Sequence, residues 1–417
     1  MVLSLEGSRV VQNVDFIVIG AGIAGLSVAY ELSQHGSVVV LEAESAVGYH
    51  STGRSAAVMS ENYGPATWRR LVTASRSFLE TPPEGFSEVP LVSPRGALFL
   101  ALDHERDTLR AQADDLARRG ASFEVMAAGE ALKVCPVIRA EKFAQALYEP
   151  DCMDIDTNAL MNGYGRALRR RGAQVLMNCR VGRLARDAAG WRVWTDEAEF
   201  CGAIVVNAAG GWVQQVARIA GLGYRNVVPF RRTAVTFDPP AGSDIRTWPM
   251  AFDAAETFYF KPEAGRIMVS PVDMEPSEPC DAQADELETA IAIDRIHTFT
   301  TMEVRTISHK WGGLRTFAPD HEPVIGSDPD AKSFIWLAGQ GGNGVMGAAA
   351  AARLAASSAL GSTIPSDIAN LGVTPESVSP GRGCVIAEGA PVISGYLGAG
   401  AREDETQTDI TSPGRPP

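Results

Sequence analysis

Residues 15–42 read DFIVIGAGIAGLSVAYELSQHGSVVVLE and predict a strand, a glycine-rich turn, a helix and a second strand. The apolar runs at residues 16–19 and 37–41 are typical of buried parallel strands. Gly20, Gly22 and Gly25 have the GxGxxG spacing, and Glu42 ends the second strand. In this context the motif predicts a site for the phosphates of a dinucleotide at the helix N-terminus. The stretch does not distinguish FAD from NAD.

Each residue of the motif has its own physical role. Gly20 makes the tight turn, Gly22 lets the backbone approach the pyrophosphate, and Gly25 lets helix and strand pack closely. The carboxylate of Glu42 can accept hydrogen bonds from a ribose 2′-hydroxyl and would repel a 2′-phosphate. The alternative is that the glycines only turn a βα loop. It is disfavoured because strand, helix and acid all stand where the motif requires them.

The composition argues against several classes of protein. Of the 417 residues 45% are hydrophobic and 21% charged, and the net charge of −13 disfavours binding to nucleic acid or to anionic membranes. The six cysteines form no CxxC pair, so neither a metal site nor a disulfide framework is predicted. We recognise no signal peptide and no membrane span, and expect a cytoplasmic protein.

Two further stretches indicate ligand binding. Residues 48–64, GYHSTGRSAAVMSENYG, follow the ribose-binding acid and are rich in small and hydroxyl side chains. Within them Arg54 and Ser55 can donate hydrogen bonds to phosphate oxygens, although a solvated surface loop is the alternative. Residues 338–355, AGQGGNGVMGAAAAARLA, are a glycine-rich turn that opens a second helix.

The order of these motifs resembles one superfamily of flavoproteins. GAGIAG, HSTGRSAA, VVNAAGGW, GLRTF, PVIG and AGQGGNG follow one another as in the D-amino-acid oxidase and glycine oxidase (DAO) superfamily. HSTGRSAA, FYFKPEAG and WGGLRTF bring the chain nearest to the bacterial D-arginine dehydrogenases. The resemblance runs from about residue 14 to residue 382.

The resemblance implies an α/β fold with two domains. One is a discontinuous Rossmann-like FAD-binding domain, and the other is a substrate-binding domain built on a mostly antiparallel sheet. Strand-like alternation between residues 229 and 271 agrees with that sheet. The tail is rich in Gly, Pro, Ser, Thr and acidic residues and is predicted to be disordered. The predicted boundaries are 14–85, 150–228 and 318–382 for the FAD-binding domain, 86–149 and 229–317 for the substrate-binding domain, and 383–417 for the tail.

The implied activity is FAD-dependent oxidation of an α-amino acid, a CH–NH2 donor, in amino-acid catabolism. A hydride passes from Cα to flavin N5, and the imino acid is hydrolysed to a 2-oxo acid and ammonia. The resemblance implies non-covalent FAD. Covalent attachment through His50 stays open, because HSTG has the H-x-x-G spacing of relatives that oxidise N-methyl amino acids. The implied cofactor-binding residues are Gly20, Gly22, Ala24, Gly25, Glu42, Ala43, Ser51, Thr52, Gly53, Arg54, Ser55, Ala56, Ala57, Val58, Val181, Ala209, Gly210, Gly341, Gly342, Asn343, Gly344, Val345 and Met346.

The resemblance also places the substrate. Arg232, Tyr259 and Arg315 are its catalytic residues, and the full substrate-binding set is Ser60, Tyr63, Ala97, Arg232, Tyr259, Arg315 and Gly342. An arginine can hold a carboxylate through two parallel hydrogen bonds, which suits Arg315, although a structural ion pair is the alternative. Arg231 and Arg232 are neighbours on a predicted strand, so only one faces inward, and the resemblance selects Arg232.

Two departures from the D-arginine dehydrogenase pattern bear on the substrate. Ala97 stands where those enzymes have the acid that recognises a cationic side chain, and Val58 stands in place of a histidine. Ser60 replaces a threonine and keeps only a neutral hydroxyl. A buried cation without a partner costs several kcal/mol. We therefore expect a D-amino-acid dehydrogenase or oxidase that prefers neutral or apolar side chains.

Alternative functions remain at this point. One is an oxidase of N-methyl or cyclic amino acids such as sarcosine, glycine or proline, and another is a non-catalytic flavoprotein subunit. An NAD-dependent dehydrogenase is disfavoured, because AAGGW and the second glycine-rich turn would have no role. The electron acceptor, quinone or O2, is left open, as is the choice between monomer and homodimer.

Overall fold

The computed structural model describes residues 10–386. Most of the predicted tail, residues 387–417, lies outside this range. Gly383–Ile386, however, is a short helix, and Val385 is buried in the core beside the first sheet. The predicted disorder is therefore wrong for residues 383–386, because an apolar side chain finds a packed site there.

The strands and helices are numbered in chain order. The strands are β1 (Val10–Ile19), β2 (Val38–Leu41), β3 (Val58–Met59), β4 (Val92–Pro94), β5 (Ala97–Ala101), β6 (Glu124–Met126), β7 (Gln145–Glu149), β8 (Met153–Ile155), β9 (Gln174–Leu176), β10 (Val181–Asp187), β11 (Gly190–Thr195), β12 (Ala198–Asn207), β13 (Val228–Phe237), β14 (Met250–Asp253), β15 (Tyr259–Glu263), β16 (Arg266–Ser270), β17 (Glu275–Pro276), β18 (Ile307–Phe317), β19 (Val324–Ser327) and β20 (Phe334–Ala338). The α-helices are α1 (Ile23–Leu32), α2 (Ala66–Glu80), α3 (Arg106–Arg119), α4 (Ala128–Ala131), α5 (Thr157–Arg170), α6 (Val213–Ile219), α7 (Glu286–Phe299), α8 (Ala348–Leu360), α9 (Ser366–Asn370), α10 (Pro375–Val378) and α11 (Gly383–Ile386).

The first sheet has a parallel centre. Strands β9, β2, β1, β12 and β20 lie in this order and are all parallel. The pair β10–β11 extends the sheet antiparallel to β12, and β19 is antiparallel to β20. Val18 and Val40 pack with α1, α5 and α8, whereas Ile17 and Ile19 pack with α6. Both faces are thus covered, which explains the continuous apolar runs of β1 and β2.

The second sheet is mixed. Its order is β17–β13–β16–β15–β14–β5–β7–β6, and β18 pairs with β13 outside this path. The ladder between β14 and β5 is parallel, whereas the other ladders of this sheet are antiparallel. The predicted mostly antiparallel sheet therefore contains one parallel junction. It arises where the strands of residues 97–149 meet those of residues 228–317.

The sheets draw on separate parts of the chain. Strands of the first sheet come from residues 10–41, 174–207 and 324–338, and those of the second from residues 97–149 and 228–317. A small third sheet, β3–β8–β4, contains residues from the segment after Glu42. The α/β fold is confirmed, while the exact domain boundaries stay a prediction.

Two glycines allow close packing in the first glycine-rich turn: Gly20 lies against the loop that follows β12, and Gly25 of α1 lies against Gly20. Gly20 has φ +100°, and a Cβ there would lie 2.6 Å from the carbonyl oxygen of Ala208. A Cβ on Gly25 would lie 1.8 Å from the carbonyl oxygen of Gly20. No side chain fits at either position, so the roles predicted for these two glycines agree with the packing.

We expect Gly25→Ala to destabilise the fold. The methyl group must push α1 away from β1, and a misplaced group of this size in a packed core costs about 1–3 kcal/mol or more. Urea unfolding would measure the loss. The matched control is Gly129→Ala, because a Cβ on Gly129 meets nothing within 4 Å. That change should leave the stability equal or raise it by about 0.4–1 kcal/mol. Equal stability of the two variants would contradict the packing role of Gly25.

Candidate active site

A cavity of about 300 Å³ opens at the carboxyl ends of the parallel strands. This is where ligands bind in open α/β sheets. Of the predicted cofactor-binding residues, it is lined by Gly20, Gly22, Ala24, Glu42, Ala43, Ser51, Thr52, Val181, Ala209 and Gly210. The first glycine-rich turn, the end of β2, the 48–64 segment and the strand β10 are thus brought together around one space.

The N-terminus of α1 faces this cavity. Its N-cap is Gly22, which offers no side chain to the helix end, and the first turn contains no acidic residue. Thr52 stands beside the helix end and accepts a hydrogen bond from the amide of Ile23 at 3.1 Å. A ten-residue helix whose positive end lies in a cavity is a suitable site for a phosphate group.

Glu42 joins the glycine-rich turn to the loop after β2. Its carboxylate accepts hydrogen bonds from the amide of Ala21 at 2.6 Å and from the amide of Glu44 at 2.9 Å. These two bonds fix the carboxylate at the cavity wall. Each carboxylate oxygen has further acceptor capacity, so a ribose hydroxyl can bind there as well.

His50 also lines the large cavity. Its Nε2 lies 3.2 Å from a carboxylate oxygen of Glu44, and its ring centre lies 4.5 Å from that of Trp212. Trp212 itself was not among the predicted site residues, although the VVNAAGGW motif ends on it. The recurrent aromatic position of that motif is the signal that could have identified it.

The residues of the large cavity fit FAD. Gly22 presents no side chain to the cavity at the helix start, the helix end attracts negative charge, and Glu42 offers acceptors to a ribose. Val181, Ala209 and Gly210 form the opposite wall. Together they would hold the adenosine and diphosphate part of the cofactor.

A second, smaller cavity of about 30 Å³ is formed by the 48–64 segment, the second sheet and the turn before α8. It contains most of the predicted substrate site. Its lining residues are Ser55, Ala56, Ala57, Val58, Tyr63, Arg232, Met250, Phe252, Tyr259, Arg315, Gly342, Val345 and Met346.

Arg315 is a buried cation in this small cavity. Its guanidinium donates to the carbonyl oxygens of Leu314 and Arg54 at 3.0 and 2.9 Å. Only 9% of the residue is exposed. Among residues 10–386 no carboxylate lies within salt-bridge distance of its guanidinium group. Burial lowers the pKa of Arg315, and the nearby positive charge of Arg232 lowers it further. An anion in the cavity would therefore be stabilised strongly.

The ladder between β13 and β18 brings the two arginines to one face of the sheet. Arg232 pairs with Gly313, and Arg315 is two residues further along β18. A Cβ on Gly313 would lie 2.8 Å from a guanidinium nitrogen of Arg315. Because Gly313 has no side chain, the guanidinium group of Arg315 can lie against it.

Arg231 and Arg232 point in opposite directions. Arg232 is buried and lines the small cavity, whereas Arg231 is partly exposed and forms an ion pair with Asp285 at 3.0 Å. The inward position predicted for Arg232 agrees with this alternation. Arg232 also donates to the hydroxyl oxygen of Tyr63 at 3.4 Å.

Tyr63 and Tyr259 complete the polar side of the small cavity. Burial raises the pKa of Tyr63 to about 12, so its hydroxyl stays protonated near neutral pH. The hydroxyl lies close to Gly342, because a Cβ there would be 3.0 Å from it. A protonated phenol can donate a hydrogen bond to a carboxylate but cannot act as a base.

The remaining walls of the small cavity are apolar. Val58, Met250, Phe252, Val345 and Met346 contribute hydrocarbon, aromatic and thioether surface. Met250 and Phe252 were not predicted. They stand two residues apart on β14 and share one face, so the alternation in residues 250–253 is the signal that could have identified them.

Eight predicted site residues line neither cavity. They are Gly25, Gly53, Arg54, Ser60, Ala97, Gly341, Asn343 and Gly344. The guanidinium of Arg54 pairs with Asp281 and donates to the carbonyl oxygen of Ala282, which turns it away from the phosphate-binding turn. Asn343 donates to the carbonyl oxygen of Tyr63 at 3.2 Å. Direct contact of these eight residues with a ligand stays a prediction.

Ser60 and Ala97 lie behind the small cavity. Ala97 is fully buried in β5, opposite Glu149 of β7. The hydroxyl of Ser60 donates to the Glu149 carboxylate at 2.7 Å. Sequence reasoning missed Glu149. Nothing in its local pattern marks it, because the strand partners that surround it are distant in sequence.

The described chain contains neither a membrane-spanning helix nor a metal cluster. Within residues 10–386, no helix is both long and apolar enough to cross a bilayer. The same residues contain no group of three or more histidine, cysteine, aspartate or glutamate side chains placed to hold a metal ion.

Comparisons with known proteins agree with this site. The family model for "FAD dependent oxidoreductase" (DAO) matches residues 15–358. Human mitochondrial sarcosine dehydrogenase is 25% identical over 369 residues, which cover 80% of this chain and 38% of that protein. This chain thus spans well under half of that relative. Glycine oxidase of Bacillus licheniformis is 25% identical over 379 residues, which cover 85% of this chain and 95% of that one.

The solved structures show the same fold. Glycine oxidase from Geobacillus kaustophilus superposes with a TM-score of 0.75 at 19% identity, covering 88% of this chain and 98% of that one. The predicted superfamily and its cofactor FAD are confirmed, whereas nearness to D-arginine dehydrogenases stays a prediction. Because the family model covers most of the sequence, this protein belongs to the DAO family of FAD-dependent oxidoreductases.

Proposed function

We propose that this protein uses FAD to oxidise the Cα–N bond of an α-amino acid with a neutral or apolar side chain, a D-amino acid being the first candidate. The single observation that carries the proposal is the pair of buried arginines in the small cavity. Arg232 and Arg315 share a face of the second sheet, and Tyr63 and Tyr259 stand beside them.

The arginines are suited to a substrate carboxylate. Both guanidinium groups are largely removed from water, and the positive charge of Arg232 contributes to the lowered pKa of Arg315. A carboxylate would bring negative charge to this place and accept charge-assisted hydrogen bonds in a fixed orientation. The protonated hydroxyl of Tyr63 adds a further donor.

The other walls support a neutral side chain. No acidic residue is among the described residues that line the small cavity. A lysine-like or arginine-like side chain would then lose its hydration without gaining a counter-charge, which costs several kcal/mol. Val58, Met250 and Phe252 instead offer contacts to hydrocarbon.

FAD, when bound, supplies the two-electron acceptor for this chemistry. The protein contributes position, because the arginines hold the carboxylate and thereby orient Cα and the amine. The described lining residues of the small cavity include no histidine, lysine or carboxylate that could act as a base. We infer that the substrate amine loses its proton to solvent before or during binding.

Oxidation of an N-methyl or cyclic amino acid is the second candidate. One observation supports it: this chain is similar to proteins named as sarcosine dehydrogenase and glycine oxidase. The same carboxylate anchor serves both candidates. They differ in the amine, which is primary in one and secondary in the other.

A substrate survey should separate these candidates. We expect D-leucine, D-methionine or D-phenylalanine to bleach the flavin faster than D-arginine, because the cavity walls carry no counter-charge for a cation. Anaerobic stopped-flow absorbance with D-, L- and N-methyl amino acids measures this. Admission of oxygen afterwards reports whether O2 reoxidises the flavin or a quinone must be supplied.

Three results of this survey would contradict parts of the proposal. The highest kcat/KM for D-arginine would refute the neutral side-chain preference. Turnover of N-methylglycine with no turnover of primary D-amines would select the second candidate. A flavin that stays oxidised with every amino acid would contradict amino-acid oxidation as a whole.

Conservative replacement of the arginines tests the carboxylate anchor. We expect Arg232→Lys and Arg315→Lys each to lower kcat/KM about tenfold to a hundredfold, because a hydrogen bond between charged groups is worth about 1.5–3 kcal/mol. The matched control is Arg231→Lys, whose ion pair lies at the surface and should change kcat/KM by less than about threefold. Equal effects at positions 231 and 232 would argue against the anchor.

We propose that FAD is bound non-covalently. His50 lies within hydrogen-bond distance of Glu44, and its ring contacts that of Trp212. Acid precipitation of the yellow protein should therefore release all flavin into the supernatant, in the wild type and in His50→Gln alike. A precipitate that stays yellow in the wild type and turns colourless in His50→Gln would instead establish a covalent bond to His50.

A further inference from the structure

Tyr63 is held at its ring, at its carbonyl group and through the residues before it. Its hydroxyl oxygen accepts a hydrogen bond from Arg232 at 3.4 Å, and its carbonyl oxygen accepts one from Asn343 at 3.2 Å. Its ring centre lies 5.5 Å from that of Phe252. The position of Tyr63 over the small cavity thus depends on the segment from Ser60 to Tyr63, which leads the chain there from β3.

Glu149 is the residue that holds the start of this segment. One carboxylate oxygen accepts the hydroxyl of Ser60 at 2.7 Å, and the other accepts the amide of Glu61 at 2.7 Å. The hydroxyl of Ser60 in turn accepts the amide of Asn62 at 3.2 Å. Glu149 therefore holds Ser60 and Glu61 directly and Asn62 through the hydroxyl of Ser60, immediately before Tyr63.

The burial of Glu149 is unusual for an acid. The residue is 1% exposed and forms no salt bridge with any residue in the range 10–386. The nearest cation, Arg76, is engaged with Glu61 at 2.7 Å. Hydrogen bonds to the 60–62 segment are what offsets the loss of hydration, so the carboxylate and the segment stabilise each other.

We propose that Glu149 is a positioning residue, which acts through Ser60 and the Glu61 amide to hold Tyr63 against the bound substrate and makes that hold dependent on pH. The proposal rests on the proposed function of the small cavity. It assigns a role to a residue outside both cavities and reassigns Ser60 from substrate contact to support.

Protonation changes what Glu149 can accept. The carboxylate form accepts from both Ser60 and Glu61, whereas the acid form has one oxygen occupied by a proton. That proton must be donated to Ser60, whose own hydroxyl hydrogen then needs another acceptor. Burial raises the pKa of Glu149 to about 7, although the bonds from Ser60 and Glu61 oppose the shift. The hydrogen bonds by which Glu149 holds Ser60 and Glu61 should therefore change near neutral pH.

Burial sets the direction of this effect, and the nearby charges change it less. Glu61 and Arg76 act on Glu149 with opposite signs, and the buried thiol of Cys152 lies close to it. Because the folded state binds this proton more tightly than the unfolded chain, its contribution to stability falls as the pH rises from about 4.5 to about 7. Tyr63 should be held best above that range, where both hydrogen bonds are accepted.

The test uses the FAD-loaded protein and the variants Glu149→Ala, Glu149→Gln and Ser60→Ala. In Glu149→Ala we expect faster amide hydrogen exchange at residues 60–64 and a KM about fivefold to tenfold higher for the best amino-acid substrate, with a much smaller change in kcat. The Kd of benzoate, measured by the change in flavin absorbance, should rise by the same factor. Ser60→Ala should shift these quantities in the same direction by less.

The amide variant separates charge from shape. Glu149→Gln keeps two polar atoms in place but cannot titrate, so we expect its KM at pH 6 to match that of the wild type. Its pH profile of KM should lack the inflection near pH 7. The matched control is Glu105→Gln, since Glu105 is also a buried acid that accepts a backbone amide, that of Leu102 at 2.8 Å. This control should keep the wild-type profile.

The outcomes that overturn the proposal are distinct. Wild-type hydrogen exchange at residues 60–64 and a wild-type benzoate Kd in Glu149→Ala would refute the positioning role. An unchanged inflection near pH 7 in Glu149→Gln would refute the dependence on pH. If no amino acid reduces the flavin but exchange and benzoate binding change as expected, the proposed function fails while the role of Glu149 in holding Tyr63 stands.

Discussion

The register between β13 and β18 is the constraint on which the small cavity depends. It sets Arg232 opposite Gly313 and places Arg315 two residues further on the same face. A slip of one residue would turn one arginine to the other side of the sheet. Gly313 supplies the space for the Arg315 guanidinium. Two positive charges are thus held on one buried face of the small cavity, where a negatively charged ligand group is favoured.

One segment of chain connects the two cavities. Thr52 supports the start of α1 at the large cavity, Ala56 and Val58 form a wall of the small one, and Tyr63 stands over it. Lys261, which is buried, donates to the carbonyl oxygen of Ala56 at 2.8 Å. Hydrogen bonds within the segment, such as those from the amides of Gly53 and Ala57, and buried polar groups of the second sheet together hold it between the two cavities.

The site therefore uses charge in two ways. Arg232 and Arg315 are buried in the wall of the small cavity, where we propose that they bind a carboxylate. Glu149 and Lys261 are buried beside the 48–64 segment. Glu149 accepts from the hydroxyl of Ser60 and the amide of Glu61, whereas Lys261 donates to the carbonyl oxygen of Ala56 and forms ion pairs with Asp154 and Glu263. Both kinds of group lose hydration, and in both cases the structure compensates with directed hydrogen bonds. The apolar walls between them keep the dielectric low and strengthen these interactions.

The sequence by itself determined the first sheet and its ligand class. The strand, glycine turn, helix and acid of residues 15–42 are local patterns, and local spacing is sufficient to predict a phosphate site. Motif order pointed to the family, and alternation agreed with the choice of Arg232 over Arg231. Only the tertiary structure decided that Glu149 lies beside Ser60, that Arg54 turns toward Asp281, and that Met250 and Phe252 line the small cavity. Those contacts join residues far apart in the chain, and their geometry follows from sheet register and packing, which no local pattern records.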